Sequence, residues 1–177
     1  RARPAGLSTY RASALELNLG WGGPYGGLGL SYAHLIGPAT DLNVGVGIGV
    51  GGKIGGGVRH FLSPAKRVSP YIGANVARSG RLTNVDLVLN EGQPSEERAI
   101  YSLAPSGVLH LRTGMRWQPG RAGLLGTLGY GVRFTGNPVT YVTSNGQLPS
   151  RQMRNIMNII SPGGLEISLG LSIGLGR

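Results

Sequence analysis

Hydrophobic and polar residues alternate strictly in three segments of the chain. The apolar residues occupy every second position of Leu15–Trp21, Leu42–Val50 and Leu165–Leu175, and the positions between them are mostly Gly, Ser and Asn. Alternation with period two places the two sets on opposite faces of a strand. Glycine at repeated interior positions would also destabilise a helix by about 1 kcal/mol at each one. The pattern therefore predicts three β-strands, each with one aliphatic face.

Five further segments follow the same template less regularly. They are Tyr25–Ile36, Lys53–Leu62, Val68–Arg78, Gly107–Trp117 and Gly123–Phe134. Together the segments give eight strands of about ten residues, a length that crosses a bilayer when the strand is tilted.

The connections between these strands are of two kinds. Residues 37–40, 63–67 and 118–122 are short and rich in turn-forming residues, whereas residues 79–106 and 135–163 are long. In an up-and-down meander, alternate connections lie at the same end. One end therefore carries only tight turns and the other carries both long loops, as in membrane barrels.

The predicted fold is all-β: an eight-stranded antiparallel up-and-down transmembrane β-barrel over residues 13–177. Residues 1–12 are expected to form an N-terminal extension in the periplasm. A helical period occurs only in Ser150–Ile160, where Met153, Ile156, Met157 and Ile160 have i, i+3, i+4, i+7 spacing.

Composition indicates which face of the barrel points outward. The chain has 33 glycines in 177 residues, and only 14% of its residues are charged. The glycine-rich face has too few long polar side chains to be a normal surface in water. It suits the packed interior of a narrow eight-stranded barrel, so the aliphatic face is predicted to contact lipid. The absence of cysteine excludes a disulfide scaffold.

Charged side chains inside the predicted strands fall on the glycine-rich face. The predicted lumen network consists of Glu16, Arg59, Arg112, Arg116, Arg133 and Glu166, with His110 on the same face. Because a buried charge is costly without a partner, we expect a salt-bridged plug. Glu166 and Arg133 lie near the loop end of neighbouring strands, which favours an ion pair between them. Glu16 lies toward the turn end, where its plausible partners are Arg59, Arg112 and Arg116. A gated ion pathway is the functional alternative.

Aromatic residues fall near both ends of the predicted strands. Trp21, Tyr25 and Phe134 lie near the loop end, and Tyr32, Tyr71 and Trp117 lie near the turn end. Membrane barrels carry such aromatic girdles at both interfaces. The alternative is that these rings pack in the core of a soluble protein.

Three segments resemble small bacterial outer-membrane β-barrel proteins of the OmpA/OmpX-like superfamily. Pro70-Tyr71-Ile72-Gly73-Ala74 is similar to a strand start of those proteins, and Gly57-Val58-Arg59-His60-Phe61 is similar to the strand before it. The last strand resembles their barrel-assembly signal. It differs in ending at Arg177, where those signals end in an aromatic residue. The resemblance implies an outer-membrane location.

The chain has three histidines that are candidates for catalysis. A lipid A deacylase on an eight-stranded barrel, similar to this chain in size, uses a His-x-Ser pair. None of His34, His60 and His110 has serine two residues later. We expect no catalytic residue, no metal site and no cofactor.

A net charge of +10 raises the question of nucleic-acid binding. The arginines are scattered, so we expect no nucleic acid as partner. Arginines at a membrane edge favour outer-membrane lipid and lipopolysaccharide instead. The predicted function is a non-enzymatic structural or accessory protein of the bacterial outer membrane, with loops 79–106 and 135–163 binding a protein partner. The alternatives are a soluble secreted lipocalin-like barrel and a lipid-modifying barrel enzyme.

Overall fold

The structure, a computed structural model, describes residues 11–142 and 149–176. Its elements in chain order are β1 (Ser13–Trp21), β2 (Leu28–Leu35), β3 (Thr40–Ile48), β4 (Lys53–Phe61), β5 (Val68–Ser79), β6 (Leu82–Leu89), β7 (Glu97–Leu103), β8 (Gly107–Trp117), β9 (Ala122–Arg133), β10 (Val139–Val142), α1 (Arg151–Ile160) and β11 (Gly164–Leu175). Most of the predicted periplasmic extension, together with Arg177, lies outside the described residues.

Eight of these strands form a closed antiparallel barrel. Their order around the barrel is β1, β2, β3, β4, β5, β8, β9 and β11, and β11 pairs with β1 to close the ring. In that closing pair, Ser13 lies opposite Leu175 and Trp21 lies opposite Ile167. The prediction of an all-β, eight-stranded up-and-down barrel is confirmed. Closure leaves no strand of the barrel with an unpaired edge.

The two ends of the barrel differ in the length of their connections. The turn end carries three tight connections, at residues 36–39, 62–67 and 118–121. The loop end carries two short connections, at residues 22–27 and 49–52, and both long ones.

The long connections contain a second, smaller unit. The strands β6, β7 and β10 form a three-stranded antiparallel sheet in the order β10-β7-β6. Buried residues of β7 and α1 form its apolar core: Ala99, Tyr101, Leu103, Met153 and Met157. We call β6, β7, β10 and α1 the cap. Sequence analysis predicted its helix but described the rest as loop.

The helix α1 begins and ends close to the predicted residues. The side chain of Ser150 accepts a hydrogen bond from the N–H of Met153 at 3.1 Å, which caps the N-terminus. Met153 and Met157 are one turn apart and both fully buried. The helical period therefore marks the face that packs on the sheet. Among the described residues, no helix is both long and apolar enough to span a membrane.

Glycine makes room inside the narrow barrel. A Cβ atom on Gly47 would lie 1.7 Å from the carbonyl oxygen of Tyr25, a distance at which no side chain fits. Tyr25 belongs to the connection between β1 and β2, which folds back into the lumen. At this position the glycine-rich face therefore accommodates both the neighbouring strand β2 and an inserted tyrosine.

Candidate functional site

The turn-end half of the lumen contains a buried cluster of one arginine and two carboxylates. Arg59 donates to both oxygens of Glu16, at 2.9 and 2.7 Å. It also donates to both oxygens of Asp41, at 3.0 and 2.8 Å. All three side chains are almost fully buried. Bidentate pairing on two sides uses four of the five N–H donors of the guanidinium.

Two aromatic rings lie beneath this cluster. Phe61 and Tyr71 are fully buried, with ring centroids 5.9 Å apart. The guanidinium carbon of Arg59 lies 5.9 Å from each ring centroid, and that of Arg116 lies 5.2 Å from the Phe61 centroid. The aromatic faces therefore provide cation–π contacts in the lumen.

A second buried ion pair lies nearer the loop end. The Nε atom of Arg112 is 3.0 Å and its Nη2 atom 2.8 Å from Oε1 of Glu166. The register explains this pair, because Arg112 of β8 lies opposite Gly129 of β9, and Gly129 lies opposite Glu166 of β11. A Cβ atom on Gly129 would come within 2.9 Å of Glu166 Oε2. The glycine of the middle strand therefore lets the two charges meet across it.

Amide and phenol side chains join the two ion clusters. Asn75 donates to Asn43 at 2.6 Å and to the Tyr25 hydroxyl at 3.0 Å, and Tyr25 donates to Asn43. Asn75 also accepts from Arg112 at 3.3 Å, while Asn43 donates to Asp41 at 3.5 Å. A continuous polar column therefore runs through the lumen.

The predicted lumen residues are thus only partly brought together. Glu16 contacts Arg59, while the partner of Glu166 is Arg112 and not the predicted Arg133. Arg133 is half-buried, and its Nη1 atom has no hydrogen-bond partner among the described residues. The register accounts for this, because Gly164, the first residue of β11, lies opposite Gly131 and Arg133 extends beyond it.

Arg116 and His110 have separate surroundings. Arg116 donates from Nε to the side-chain oxygen of Gln118 at 3.0 Å. His110 is fully buried, with Nδ1 3.7 Å from Glu166 Oε2, and neither ring nitrogen has a hydrogen-bond partner within residues 11–142 and 149–176.

Sequence reasoning missed Asp41, which completes the turn-end cluster. The sequence pattern places the start of this strand at Leu42, whereas β3 begins at Thr40 and includes Asp41. The alternation continues one residue further, because Asp41, Asn43 and Gly45 share the inward face. Extending the pattern by one position would have found it.

Four of the six predicted girdle aromatics lie on the outer surface. Trp21 and Phe134 are exposed near the loop end, and Tyr32 and Trp117 are exposed near the turn end.

The other two girdle predictions are wrong. Tyr25 is buried because its connection inserts into the lumen, where its hydroxyl bonds to Asn43. Tyr71 is buried because it alternates with outward-facing Ile72, and its hydroxyl bonds to Thr127. The position of Tyr71 near a strand end predicts an interfacial ring, but its place in the alternation between outward-facing Pro70 and Ile72 turns it into the lumen.

The outer surface of the barrel is apolar on every strand. Each barrel strand exposes at least two large hydrophobic side chains; those of β3 and β11 are Leu42, Val44, Val46, Ile48, Leu165, Ile167, Leu169, Leu171 and Ile173. Polar groups occur near the turn end, where His34 bonds to Ser13 at 2.9 Å and His60 bonds to Thr40 at 2.9 Å.

Contacts between β7 and α1 hold the cap together. The carboxylate of Glu97 accepts a hydrogen bond from the N–H of Ser150 at 2.7 Å. The hydrogen bonds from Ser150 lower the pKa of Glu97. Burial in the cap core raises the pKa of Tyr101.

In the part of the chain that the structure describes, no three His, Asp or Glu side chains lie close enough together to hold a metal ion. No protein-family model matches the chain, and no curated protein matches it either.

Proposed function

We propose that this chain is an integral, non-enzymatic β-barrel protein of the bacterial outer membrane with a structural or accessory role. The observation that carries the proposal is the apolar exterior of all eight barrel strands. Soluble monomers rarely expose a continuous apolar patch larger than a few hundred Å². A belt of aliphatic side chains around the whole barrel is stable when lipid surrounds it.

The height of this belt suits a bilayer. Leu165 and Ile173 are the first and last of the exposed apolar residues of β11, eight positions apart. At about 3.3 Å per residue and a tilt of about 40°, they are separated by roughly 20 Å along the barrel axis. With the width of the side chains added, the belt approaches the apolar band of about 25 Å that membrane barrels have.

A soluble ligand-binding barrel would need the opposite distribution. Its exterior would carry charges and its lumen would be apolar with room for a ligand. Here the lumen contains Glu16, Asp41 and Arg59 in one buried cluster, and Arg112 with Glu166 in another. These side chains occupy the space that a ligand or an ion stream would need. The same packing favours a plugged barrel over an open pore.

The cap is the proposed surface for a protein partner. It is formed by the two long connections of the loop end, and it buries a small apolar core, as a protein domain in water does. In an outer-membrane barrel the loop end faces outward. The cap is therefore the part of the protein that an external partner would meet.

Solubility and migration of the purified protein test the membrane proposal. We expect the folded protein to require detergent and to migrate differently on a gel before and after boiling. A protein that is folded and monodisperse in plain buffer would instead support the soluble barrel.

Two further measurements test the role. Single-channel recordings should give no large, steady conductance, since such a conductance would contradict the plugged lumen. Purification from the native membrane should yield a partner protein whose retention is lost when the cap is deleted. Phospholipid or lipid A hydrolysis by the purified protein would overturn the non-enzymatic role.

A further inference from the structure

One charged residue interrupts the apolar exterior of the barrel. Of the side chains pointing outward from the eight barrel strands, only Arg78 belongs to Asp, Glu, Lys or Arg. It is the penultimate residue of β5, at the loop end. Its guanidinium forms no hydrogen bond or ion pair with residues 11–142 or 149–176. No Asp or Glu side chain points outward from the barrel strands, so no carboxylate of the barrel wall competes with a ligand for the guanidinium of Arg78.

Two surface depressions meet at Arg78. The first lies at the loop end, and its lining includes Gly51, Gly52 and Gly80. The second is lined by residues that include Ile54 and Phe134. Arg78, Ile54 and Pro105 line both depressions, and the guanidinium of Arg78 is the charged group that the two largely apolar depressions share.

The first depression offers cations to an anionic group. Gly51 and Gly52 both have positive φ, and Gly51 packs against the backbone of Gly80. Lys53 also lies on this wall, but its Nζ atom donates to the carbonyl of Gly23 at 2.9 Å. Arg78 is the cation of this depression that makes no hydrogen bond with the described residues. Guanidinium binds phosphate through two parallel hydrogen bonds.

The second depression suits a hydrocarbon chain. Ile54, Val76 and Phe134 are each more than half exposed, and they surround it without any acidic neighbour. A ligand with a phosphate next to an acyl chain fits both the guanidinium of Arg78 and this apolar surface. That combination is the chemistry of a membrane lipid.

We propose that this rim site binds a lipid whose headgroup carries a phosphate, with Arg78 on the phosphate and an acyl chain along Ile54, Val76 and Phe134. The proposal rests on the membrane location proposed above, because there Arg78 lies where the apolar belt meets the headgroups. It adds one defined site to a surface that is otherwise non-specific toward lipid.

Native mass spectrometry from detergent micelles tests the site. The micelles contain equal amounts of dioleoyl phosphatidic acid and dioleoylglycerol, which have the same acyl chains and differ by the phosphate. We expect the protein to retain the phosphatidic acid. Arg78→Gln should reduce that retention about tenfold, as the loss of a charge-assisted hydrogen-bond pair does. Arg67→Gln, which removes an exposed arginine at the turn end, is the matched control and should retain it fully.

Each other outcome contradicts the site. Equal retention of the two lipids would show that the site does not recognise the phosphate. Equal loss of phosphatidic acid retention in both arginine variants would show that the overall charge of the protein, and not Arg78, binds the lipid. Phe134→Ala should weaken retention of the phosphatidic acid. If it has no effect and millimolar inorganic phosphate displaces the lipid, the site binds a free anion only. The micelle experiment requires only a folded barrel. Loss of lipid retention would therefore contradict the rim site, whereas failure to insert into vesicles would contradict the membrane location.

Discussion

In the barrel, Leu169 and its aliphatic neighbours point away from the protein, whereas in the cap Met153 and Met157 point into it. The same chain thus places its apolar side chains outside one unit and inside the other. The polar side chains show the reverse distribution, because Glu16 and Arg59 are buried in the barrel while Arg98 and Asp86 of the cap are exposed. Each unit is consistent with a different solvent. The cap suits water and the barrel suits lipid, so the boundary between them marks where the membrane surface is expected.

The two interiors also depend on different interactions: apolar packing in the cap and the pairing of charges in the barrel lumen. Apolar packing tolerates small changes of shape as long as total volume is kept. A polar interior requires that each charge meets its partner, because an unpaired charge is far more costly than a small cavity. The barrel should therefore be sensitive to the loss of charge, and the cap to the loss of volume.

The largest effect is expected from Arg59→Met. This change leaves the carboxylates of Glu16 and Asp41 buried without their cation, which should cost about 3–5 kcal/mol of unfolding free energy. Chemical denaturation in detergent, followed by tryptophan fluorescence, measures it. The control Arg67→Met removes an exposed arginine and should change stability by less than about 0.5 kcal/mol. Asp41→Asn, which removes one of the two carboxylate charges, provides a milder variant if Arg59→Met does not fold. Equal stability of the two arginine variants would show that the lumen charges are not paired as described.

Met157→Ala should be nearly as costly, but only in the cap. Truncating a fully buried methionine costs about 2–5 kcal/mol, because it removes packing and leaves a cavity. Hydrogen exchange should increase in β6, β7 and α1, while the gel migration of the unboiled barrel stays unchanged. Loss of the barrel along with the cap would mean that the two units do not fold independently.

A pair of arginine substitutions compares the two solvents directly. Leu169 on the barrel exterior is 57% exposed and Ile159 on the cap helix is 65% exposed. In lipid, Leu169→Arg near the middle of β11 should cost about 2–4 kcal/mol. Ile159→Arg on a surface in water should cost less than about 0.5 kcal/mol. Unfolding from lipid vesicles measures both, and equal costs would argue against lipid around the barrel.

The smallest effect is a pH dependence confined to the cap. The pKa of Glu97 is lowered in the folded protein by hydrogen bonds from Ser150. Its contribution to cap stability is therefore full above the pKa of the unfolded chain and is lost as the pH falls through the lowered folded value. Hydrogen exchange of α1 at several pH values should detect it, and Glu97→Gln should flatten this dependence. The same acid dependence in the variant would assign it to another group.

Much of the barrel follows from the sequence, because an apolar exterior and a narrow polar lumen produce a strong alternation. The same rule would have placed Tyr71 and Asp41 in the lumen if it had been applied at every position. Tyr25 is different, since it lies in a connection where alternation has no meaning. The cap sheet was missed for a local reason: Asn84 has positive φ and the pairing of β6 with β7 shifts there, which interrupts the pattern.

The pairing of charges could not be read from sequence position. Arg133 and Glu166 are both near the loop end of neighbouring strands, yet the glycine at position 129 lets Arg112 reach across from the next strand. Which charges meet depends on register and on the reach of each side chain.

The pairing of β1 with β11 has a consequence for how the barrel forms. Ser13 and Leu175 become neighbours only after nearly the whole chain has been ordered, and such distant contacts incur a large loss of chain entropy before they contribute. Until then β1 has a partner on one side only, and its free edge is a site for pairing with another chain. Pairing of β11 with β1 therefore closes the barrel. We expect the protein to be most prone to aggregation before this pairing forms.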